Sequence, residues 1–374
     1  MIKNLNIKMK YSFLIVFHSI LIFSCNNTHS NKTEGDLNNK NHRLLSNTIK
    51  SNDSIKIKFT VGESSMKLIN GGIFIMGGNN DKWSLKREYP RHKVQVNSFY
   101  MDVHEVTNAQ FKKFVDETGY VTLAEKKIDW KSLKLQFPEN TPKPPDSILE
   151  PGSLVFFQPK PTKLNLDYSQ WWKWVKGACW KHPFGPESNI NNLENHPVVH
   201  VSYKDAEEFA KWCNKRLPTE AEWEWAARGG LENKTYPWGN EHIESGKPKC
   251  NLWTGNFPVY NSKKDGYKLT SPVMSYDSNG YGLFDMAGNV WEICSDWYDE
   301  NYYDELSKVE VTINPKGPQS WNYPREPNDP KKVMRGGSFL CNDSYCASYR
   351  VSARMPYSIE TGMNHTGFRC VKDI

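Results

Sequence analysis

The sequence predicts an α+β fold with a low content of regular secondary structure, organised as a single domain. The 374-residue chain contains 14 Trp, 18 Tyr and 17 Phe, so large flat side chains, rather than leucine-rich helices, are expected to fill its core. It also contains 24 Gly and 22 Pro, which favour turns over long helices. Short strand patterns and short capped helices occur together, without an internal repeat.

The first elements of this domain follow one another closely. Residues 68–78 (LINGGIFIMGG) predict a short strand between two turns, and residues 92–100 (HKVQVNSFY) alternate as a second strand. Thr107 and Gln110 form a capping box, which predicts a helix that ends at Gly119.

Further elements are expected after a long irregular stretch. Residues 125–168 hold many Pro and Lys and little periodicity, so they predict an excursion over the surface. Residues 196–201 (HPVVHV) predict a strand, and a helix is expected from Ser202 to Cys213. A capping box at Thr219 begins the next helix, after which the pattern predicts mostly turns and short strands.

The N-terminus has the pattern of an export signal. Lysines at positions 3, 8 and 10 precede the apolar run 12–24 (SFLIVFHSILIFS), which is too short to span a bilayer comfortably. The segment 21–25 (LIFSC) resembles a bacterial lipobox, which makes Cys25 the lipid-bearing first residue; ordinary signal cleavage is the alternative. Residues 1–24 are therefore expected to be a lipoprotein signal peptide, and the chain to be anchored facing the bacterial periplasm or cell surface.

Composition also bounds the rest of the chain. Residues 25–62 are rich in Asn, Ser, Lys and Thr and predict a flexible tether, followed by a folded body over residues 63–374. A net charge of +6, without a dense Lys/Arg run interleaved with aromatics, argues against nucleic-acid binding. The HExxH, Walker and GxSxG motifs are absent, which argues against zincins, P-loop NTPases and α/β-hydrolases.

The most informative candidate site is a pair of cysteines near the C-terminus. Cys341 and Cys346 follow the Gly-Gly-Ser turn at residues 336–338, and they are two of the eight cysteines in the chain. In an exported protein such a pair can form a small disulfide. It can also bind a thiophilic metal such as Cu(I), or carry out redox chemistry. The residues alone leave these three alternatives open.

Two loops offer oxygen donors of the kind that Ca²⁺ prefers. Residues 285–292 (DMAGNVWE) combine carboxylates with backbone carbonyls, and Asn251-Leu252 together with Asp265 and Tyr267 bracket a second loop. Asn, Asp and Gly are also ordinary turn residues, so these patterns alone predict calcium weakly.

Several segments resemble the formylglycine-generating enzymes, or sulfatase-modifying factors, over residues 64–374. The segments that carry this resemblance are 175–183 (VKGACWKHP), 196–202 (HPVVHVS), 215–224 (KRLPTEAEWE), 237–240 (PWGN), 251–253 (NLW), 279–283 (NGYGL), 287–292 (AGNVWE) and 335–338 (RGGS). The resemblance implies a C-type-lectin-like body. It implies that Cys341 and Cys346 bind Cu(I), that Ser338 and Arg354 are polar residues of the active site, and that Trp291 lines the substrate groove.

The resemblance also implies two bound Ca²⁺ ions and one disulfide. The first calcium set is Asn251, the Leu252 carbonyl, Asp265 and the Tyr267 carbonyl. The second set is Asp285, the carbonyls of Gly288 and Val290, and Glu292. Cys370 matches one half of a family disulfide, but Ala210 stands at its partner position, so Cys213 is expected to pair with Cys370. Asn342 departs from vertebrate-like relatives, which carry His there.

The implied reaction is the oxidation by O2 of a cysteine in an unfolded sulfatase polypeptide, in a Cys-x-Pro-x-Arg segment, to Cα-formylglycine. One alternative is a non-catalytic structural lipoprotein of the same superfamily. An iron-dependent sulfoxide synthase is a second alternative, but no three-histidine cluster is evident. A carbohydrate-binding module is the third, and it would leave the two thiols as a plain disulfide.

Overall fold

The computed structural model describes residues 65–160 and 171–374. The signal peptide over 1–24, the lipidated Cys25 and the whole tether over 25–62 were predicted for residues outside this part of the chain. Within the described ranges, helices and short strands are mixed, which confirms the predicted α+β class. None of the helices in these ranges is both long and apolar enough to cross a bilayer.

The strands are short. They are β1 (Met66–Ile69), β2 (Gly72–Met76), β3 (His92–Val96), β4 (Phe99–Asp102), β5 (Gly152–Phe156), β6 (Trp172–Lys176), β7 (Trp291–Trp297), β8 (Thr312–Ile313), β9 (Lys331–Arg335), β10 (Arg354–Ser358), β11 (Thr366–Gly367) and β12 (Val371–Asp373). The α-helices are α1 (Asn108–Thr118), α2 (Trp130–Leu133), α3 (Tyr203–Trp212), α4 (Glu220–Arg228) and α5 (Tyr302–Leu306).

The strands form four small sheets in the described part of the chain. Their orders are β1-β4-β12, β10-β9-β7-β11, β2-β3-β8 and β5-β6. In the four-stranded sheet, β9 pairs antiparallel with both β10 and β7, and β11 runs parallel to β7. Because β9 ends at Arg335, this sheet delivers the chain directly into the Gly-Gly-Ser turn that precedes the two thiols.

Local capping signals predicted the helices well. The Thr107 hydroxyl accepts the Gln110 N–H, and the Gln110 side chain accepts the Thr107 N–H at 2.9 Å. Thr219 caps α4 in the same reciprocal way. Gly119 ends α1 in the left-handed region, with φ of 66°. Because each cap satisfies orphan backbone groups within a few residues, the sequence alone determines these boundaries.

Two strand predictions and one prediction of a surface segment need correction. Residues 92–100 form two strands, β3 and β4, rather than one. Residues 196–201 form no strand: the Val198 N–H binds the Val106 carbonyl, whereas the His200 N–H binds the Met363 carbonyl. His200 also has a φ of 62°, which is incompatible with a continuous strand. The stretch 125–168, predicted to cross the surface, contains the fully buried strand β5, which pairs with β6.

Aromatic side chains fill the core, as the composition indicated. The ring of Phe111 in α1 stacks on that of Phe209 in α3 at 5.8 Å, and it meets Trp180 and Phe368 edge-on. The same cluster extends to both candidate thiols, Cys341 and Cys346. The thiol pair therefore lies at the margin of the main hydrophobic core rather than on an open surface loop.

Candidate active site at the thiol pair

A glycine turn positions the thiols. After β9, Gly336 and Gly337 both lie in the left-handed region, with φ of 89° and 73°. A Cβ on Gly337 would come within 2.9 Å of the Ser348 carbonyl carbon, two residues beyond the second thiol. The turn is closed by the Cys341 N–H, which donates to the Ser338 carbonyl at 2.8 Å. Backbone freedom at Gly337 is thus required for the two halves of the site to approach each other.

Replacing Gly337 with Ala is expected to destabilise the fold and disorder the thiol pair. The left-handed backbone alone accounts for about 1–2 kcal/mol, and the clash with Ser348 adds to this. The matched control is Gly119→Ala, because Gly119 has a similar φ of 66° but no atom within 4 Å of the place that an added Cβ would occupy. Urea unfolding of both variants measures the difference. Equal losses of stability in the two variants would contradict the close approach at Gly337.

The two sulfur atoms lie 2.8 Å apart. Both residues are free cysteines in the structure, as are the other five described cysteines. The Ser338 N–H donates to the Cys341 sulfur at 3.4 Å. Cys341 is 1% exposed and Cys346 is 7% exposed. The two thiols are therefore shielded from solvent, and a backbone N–H donates to one of them.

The two thiols have opposite acidities. Burial raises the pKa of Cys341 well above its usual range, and the adjacent Cys346 raises it further. Burial acts in the same direction on Cys346, but hydrogen bonds with Cys341 and Ser348 outweigh it, so the pKa of Cys346 is lowered. Cys346 is consequently the thiol of the pair that gives up its proton more readily.

The loop between the thiols is held by the side chain that departs from vertebrate-like relatives. Asn342 donates from its amide to the Trp253 carbonyl at 2.9 Å and to the Gly255 carbonyl at 3.3 Å. Its amide oxygen accepts the Ser344 N–H at 3.0 Å. Its backbone carbonyl accepts the Cys346 N–H at 3.0 Å. Asn342 thus shapes the turn that brings Cys346 back to Cys341.

A narrow aromatic recess adjoins the sulfurs. It is lined by Trp172, Phe257, Trp291, Ser338, Leu340, Cys341, Tyr345, Cys346 and His365. Its volume of about 10 Å³ is close to the smallest that can hold one water molecule. Ser338 and Trp291 were predicted for this site and line the recess. Trp172, Phe257 and His365 were not singled out, because they come from separate segments of the chain; Tyr345, directly before Cys346, was not singled out either.

The imidazole of His365 is neutral in this setting. Burial lowers the pKa of His365 to about 3, and the nearby His200 contributes to the shift. The ring lies 4.8 Å from that of Trp172. The recess therefore combines a dry, uncharged wall with two sulfur donors.

Arg354 does not line the recess, contrary to the prediction that it is a polar residue of the active site. Its guanidinium makes two hydrogen bonds to the Glu220 carboxylate, at 2.7 and 2.9 Å, and both side chains are buried. Arg335 also contacts Glu220, at 2.8 Å. The Asp299 carbonyl accepts from Arg354 at 3.1 Å. Burial of the Glu220 charge requires this cation, which explains why Arg354 points into the core.

The first predicted calcium set is brought together around one carboxylate. Asp265 accepts the Leu252 N–H at 2.8 Å and the Tyr267 N–H at 3.3 Å. Asn251 precedes Leu252, and its amide donates to the Leu269 carbonyl at 2.8 Å. Burial raises the pKa of Asp265. In the described part of the chain no cationic side chain pairs with Asp265, so a bound cation would relieve the burial of its charge.

Beside the second predicted calcium set lies Glu105, a carboxylate that the sequence analysis did not identify. Asp285 lies beside Glu105, which is fully buried and has one carboxylate oxygen without a hydrogen-bond partner within 65–160 and 171–374. Burial raises the pKa of Glu105 well above its usual range, and Asp285 adds to this. Burial raises the pKa of Asp285 to about 6. Two buried carboxyl groups in contact need either a shared proton or a cation.

Glu292 is less available than the prediction assumed. Its carboxylate accepts from Arg369 at 2.6 and 2.7 Å and from the Trp223 indole at 2.8 Å. Its charge is thus balanced within the protein. Gly288 and Val290 lie in the turn that leads into β7. Over the described residues, no three His, Cys, Asp or Glu side chains converge as a ready metal site.

This chain matches the sulfatase-modifying factor enzyme 1-like domain family over residues 56–374. The chain belongs to this family. The formylglycine-generating enzyme of Thermomonospora curvata is 43% identical over 309 residues, which cover 82% of this chain and 93% of that protein. A relative from Bos taurus named inactive C-alpha-formylglycine-generating enzyme 2 is 33% identical over 82% of this chain and 87% of that protein.

Among solved structures, PvdO from Pseudomonas aeruginosa is similar in fold to this member of the sulfatase-modifying factor family. Its TM-score is 0.53 at 20% identity, and the match covers 84% of this chain and 100% of that one. A likeness at this level of identity supports the fold alone.

Cys213 and Cys370, which the resemblance pairs in a disulfide, are free thiols in the structure. They are nevertheless in contact, because a hydrogen bond with Cys370 lowers the pKa of Cys213. The disulfide therefore stays a prediction for the oxidised protein. Cys179, Cys250 and Cys294 are buried free thiols.

Proposed function

We propose that this protein oxidises a cysteine of a sulfatase polypeptide to Cα-formylglycine, using O2 and a Cu(I) ion held by Cys341 and Cys346. Membership of the sulfatase-modifying factor family supports the conversion of cysteine to formylglycine. The observation that carries the proposal is the shielded pair of free cysteines, whose sulfurs lie 2.8 Å apart beside an aromatic recess. A structural disulfide would not need that recess.

The donor set fits Cu(I). Two thiolates are soft ligands, and soft ligands select Cu(I) over hard cations such as Mg²⁺ or Ca²⁺. Apart from the Ser338 hydroxyl and the neutral His365, the lining of the recess is apolar or aromatic, so no carboxylate competes. The lowered pKa of Cys346 eases the loss of the proton that metal binding requires. When bound, the copper ion supplies the one-electron chemistry that lets O2 oxidise the substrate cysteine.

The protein itself supplies placement and dryness. The aromatic walls exclude water from the sulfurs, and the Ser338 N–H holds the Cys341 sulfur in position. Conversion of the cysteine to the aldehyde removes two electrons and releases sulfide, whereas full reduction of O2 takes four. A thiol reductant therefore supplies the other two electrons.

Mass spectrometry tests the proposal. The reduced chain lacking residues 1–24 is incubated with Cu(I), O2, dithiothreitol and a peptide containing Cys-x-Pro-x-Arg. The expected product carries an aldehyde at the cysteine position, and a peptide with Ser in that position is the control. If copper loads fully and no aldehyde forms, the alternative of a non-catalytic structural lipoprotein is preferred.

We further propose that Ca²⁺ binds at both loops. The first site uses Asn251, the Leu252 carbonyl, Asp265 and the Tyr267 carbonyl. The second uses Asp285 and the carbonyls of Gly288 and Val290, with Glu292 beside them and Glu105 as an added carboxylate. The support is electrostatic: Asp265, Asp285 and Glu105 are buried acids with raised pKa values.

The Glu105–Asp285 pair predicts an unusual pH dependence of the calcium-free protein. Because burial raises the pKa of Asp285 from 3.8 to about 6 and that of Glu105 well above 4.5, the folded state keeps protons that the unfolded chain releases above about pH 4. This pair's contribution to stability therefore falls as pH rises from about 4 through 6 and beyond. Thermal unfolding with a chelator and with Ca²⁺ measures the effect.

Glu105→Gln is the matched variant for this titration. Removing one charge should flatten the fall in stability between about pH 5 and 8 and weaken the stabilisation by Ca²⁺. A wild-type protein whose unfolding temperature is the same in chelator and in Ca²⁺ at about pH 8 would argue against a calcium ion at this pair.

The remaining proposals concern fold type, location and partners. The mixed sheets and low regular content support a C-type-lectin-like body. The signal and lipobox over residues 1–25 support a lipid-anchored protein at the bacterial periplasm or cell surface. The proposed partner is an unfolded sulfatase polypeptide, because membership of the family supports a sulfatase substrate.

A further inference from the structure

A histidine far along the chain holds the loop between the thiols. The His242 ring contacts Asp343 through Nε2, which is 2.9 Å from Asp343 Oδ2. The other ring nitrogen, Nδ1, accepts the Glu244 N–H at 3.4 Å, so Nε2 carries the proton and donates to Asp343. The ring also lies against Trp83, with centroids 6.0 Å apart. Its orientation is therefore fixed from three sides.

Asp343 and Asn342 hold the loop from two sides. Asn342 binds the carbonyls of Trp253 and Gly255, whereas Asp343 binds the side chain of His242. Asp343 Oδ1 is buried and makes no hydrogen bond to any part of the chain that the structure describes. The Asp343 carboxylate thus accepts its hydrogen bond, among the described residues, from His242. Without it, the loop loses the anchor at Asp343.

The spacing of the sulfurs makes such anchoring consequential. A metal ion about 2.3 Å from each of two thiolates keeps the sulfurs about 3.7 Å or more apart at a tetrahedral or wider angle. A disulfide brings them to about 2.05 Å. The observed 2.8 Å lies between these two distances. Small movements of the loop between the cysteines therefore decide whether the pair opens towards a metal or closes on itself.

We propose that His242 is a positioning residue that acts through Asp343 to hold the loop between Cys341 and Cys346, and with it the spacing of the two sulfurs. That the two cysteines bind copper rests on the proposed function. Their tendency to form a disulfide with each other does not. His242 stands outside the recess and touches neither sulfur. Loss of its hydrogen bond frees the loop, so the sulfurs reach the bonding distance more often and are held less well for a metal.

Closure kinetics of the metal-free protein test this role. Oxidised glutathione converts the two thiols to a disulfide and is itself reduced to two glutathione molecules, and trapping with a thiol reagent measures the rate. His242→Ala should close about tenfold faster than wild type and bind Cu(I) about tenfold more weakly in competition with a chelator. His242→Gln keeps an N–H donor near the Nε2 position and should recover most of both values.

The control is Lys247→Ala, which breaks the exposed Lys247–Asp277 pair on the neighbouring surface. It should match wild type in both measurements. Closure rates of His242→Ala equal to wild type, or a His242→Gln variant as fast as His242→Ala, would overturn the positioning role. A wild-type protein that binds no Cu(I) would defeat the proposed function instead, and the closure rates would still decide the role of His242.

Discussion

Replacing either Cys341 or Cys346 with Ser is expected to lower turnover of a Cys-x-Pro-x-Arg peptide by about 10³-fold or more. Each variant leaves one sulfur, which cannot hold Cu(I) with a second soft donor. A residue that acts with its partner as a unit typically loses almost all of the catalysis when removed alone. The rate of aldehyde formation, measured by mass spectrometry at saturating copper, checks this.

The fold should tolerate these changes, because Ser is nearly isosteric with Cys. A buried hydroxyl destabilises by about 1–2 kcal/mol at most when it keeps a hydrogen bond, and the Ser338 N–H is present near position 341. The matched control is Cys294→Ser, a buried free thiol outside the recess. Full activity in either Cys341→Ser or Cys346→Ser would show that the site has been misassigned.

Replacing Arg354 with Leu is expected to lower the free energy of unfolding by about 3 kcal/mol or more, because removal of one member of a buried ion pair is strongly destabilising. The change leaves the Glu220 carboxylate buried with fewer partners. Because both side chains are buried, water cannot replace the two hydrogen bonds that Arg354 donates to Glu220. Urea unfolding measures the loss.

This variant separates a structural role from a catalytic one. Turnover per folded molecule, measured at low temperature, should stay close to that of wild type, because Arg354 does not line the recess. Lys112→Ala is the control for an exposed pair, and it should change stability by less than about 0.5 kcal/mol. A stable Arg354→Leu protein without activity would return Arg354 to the active site.

Local signals made much of the fold predictable. The capping boxes at Thr107 and Thr219 and the glycine at position 119 are satisfied by groups a few residues away, and their helices are confirmed. The strand predicted over 196–201 failed for the opposite reason. Its backbone partners, Val106 and Met363, lie far away along the chain on either side, and no local pattern encodes them.

The residues of the site also divide into those that the sequence identifies and those that only the structure brings together. The spacing of Cys341 and Cys346 after a glycine turn is visible in sequence, and the structure brings the two sulfurs together. Glu105 is separated from Asp285 by most of the domain, so its contact could only be found in three dimensions. The family resemblance placed Arg354 in the active site, because Arg354 matches a position of the family pattern. The structure buries Arg354 beside Glu220, a contact that no sequence pattern states, and its role in the active site stays a prediction.

Titration of the metal-free, reduced protein with Cu(I) tests the central claim most directly. We expect one Cu(I) ion to bind per chain, together with loss of the two reactive thiols, and no binding when Cys341 and Cys346 are both replaced by Ser. If wild type and the double variant take up the same amount of Cu(I), or if the two sulfurs are found permanently bonded to each other and indifferent to the metal, the proposed copper-dependent catalysis is wrong.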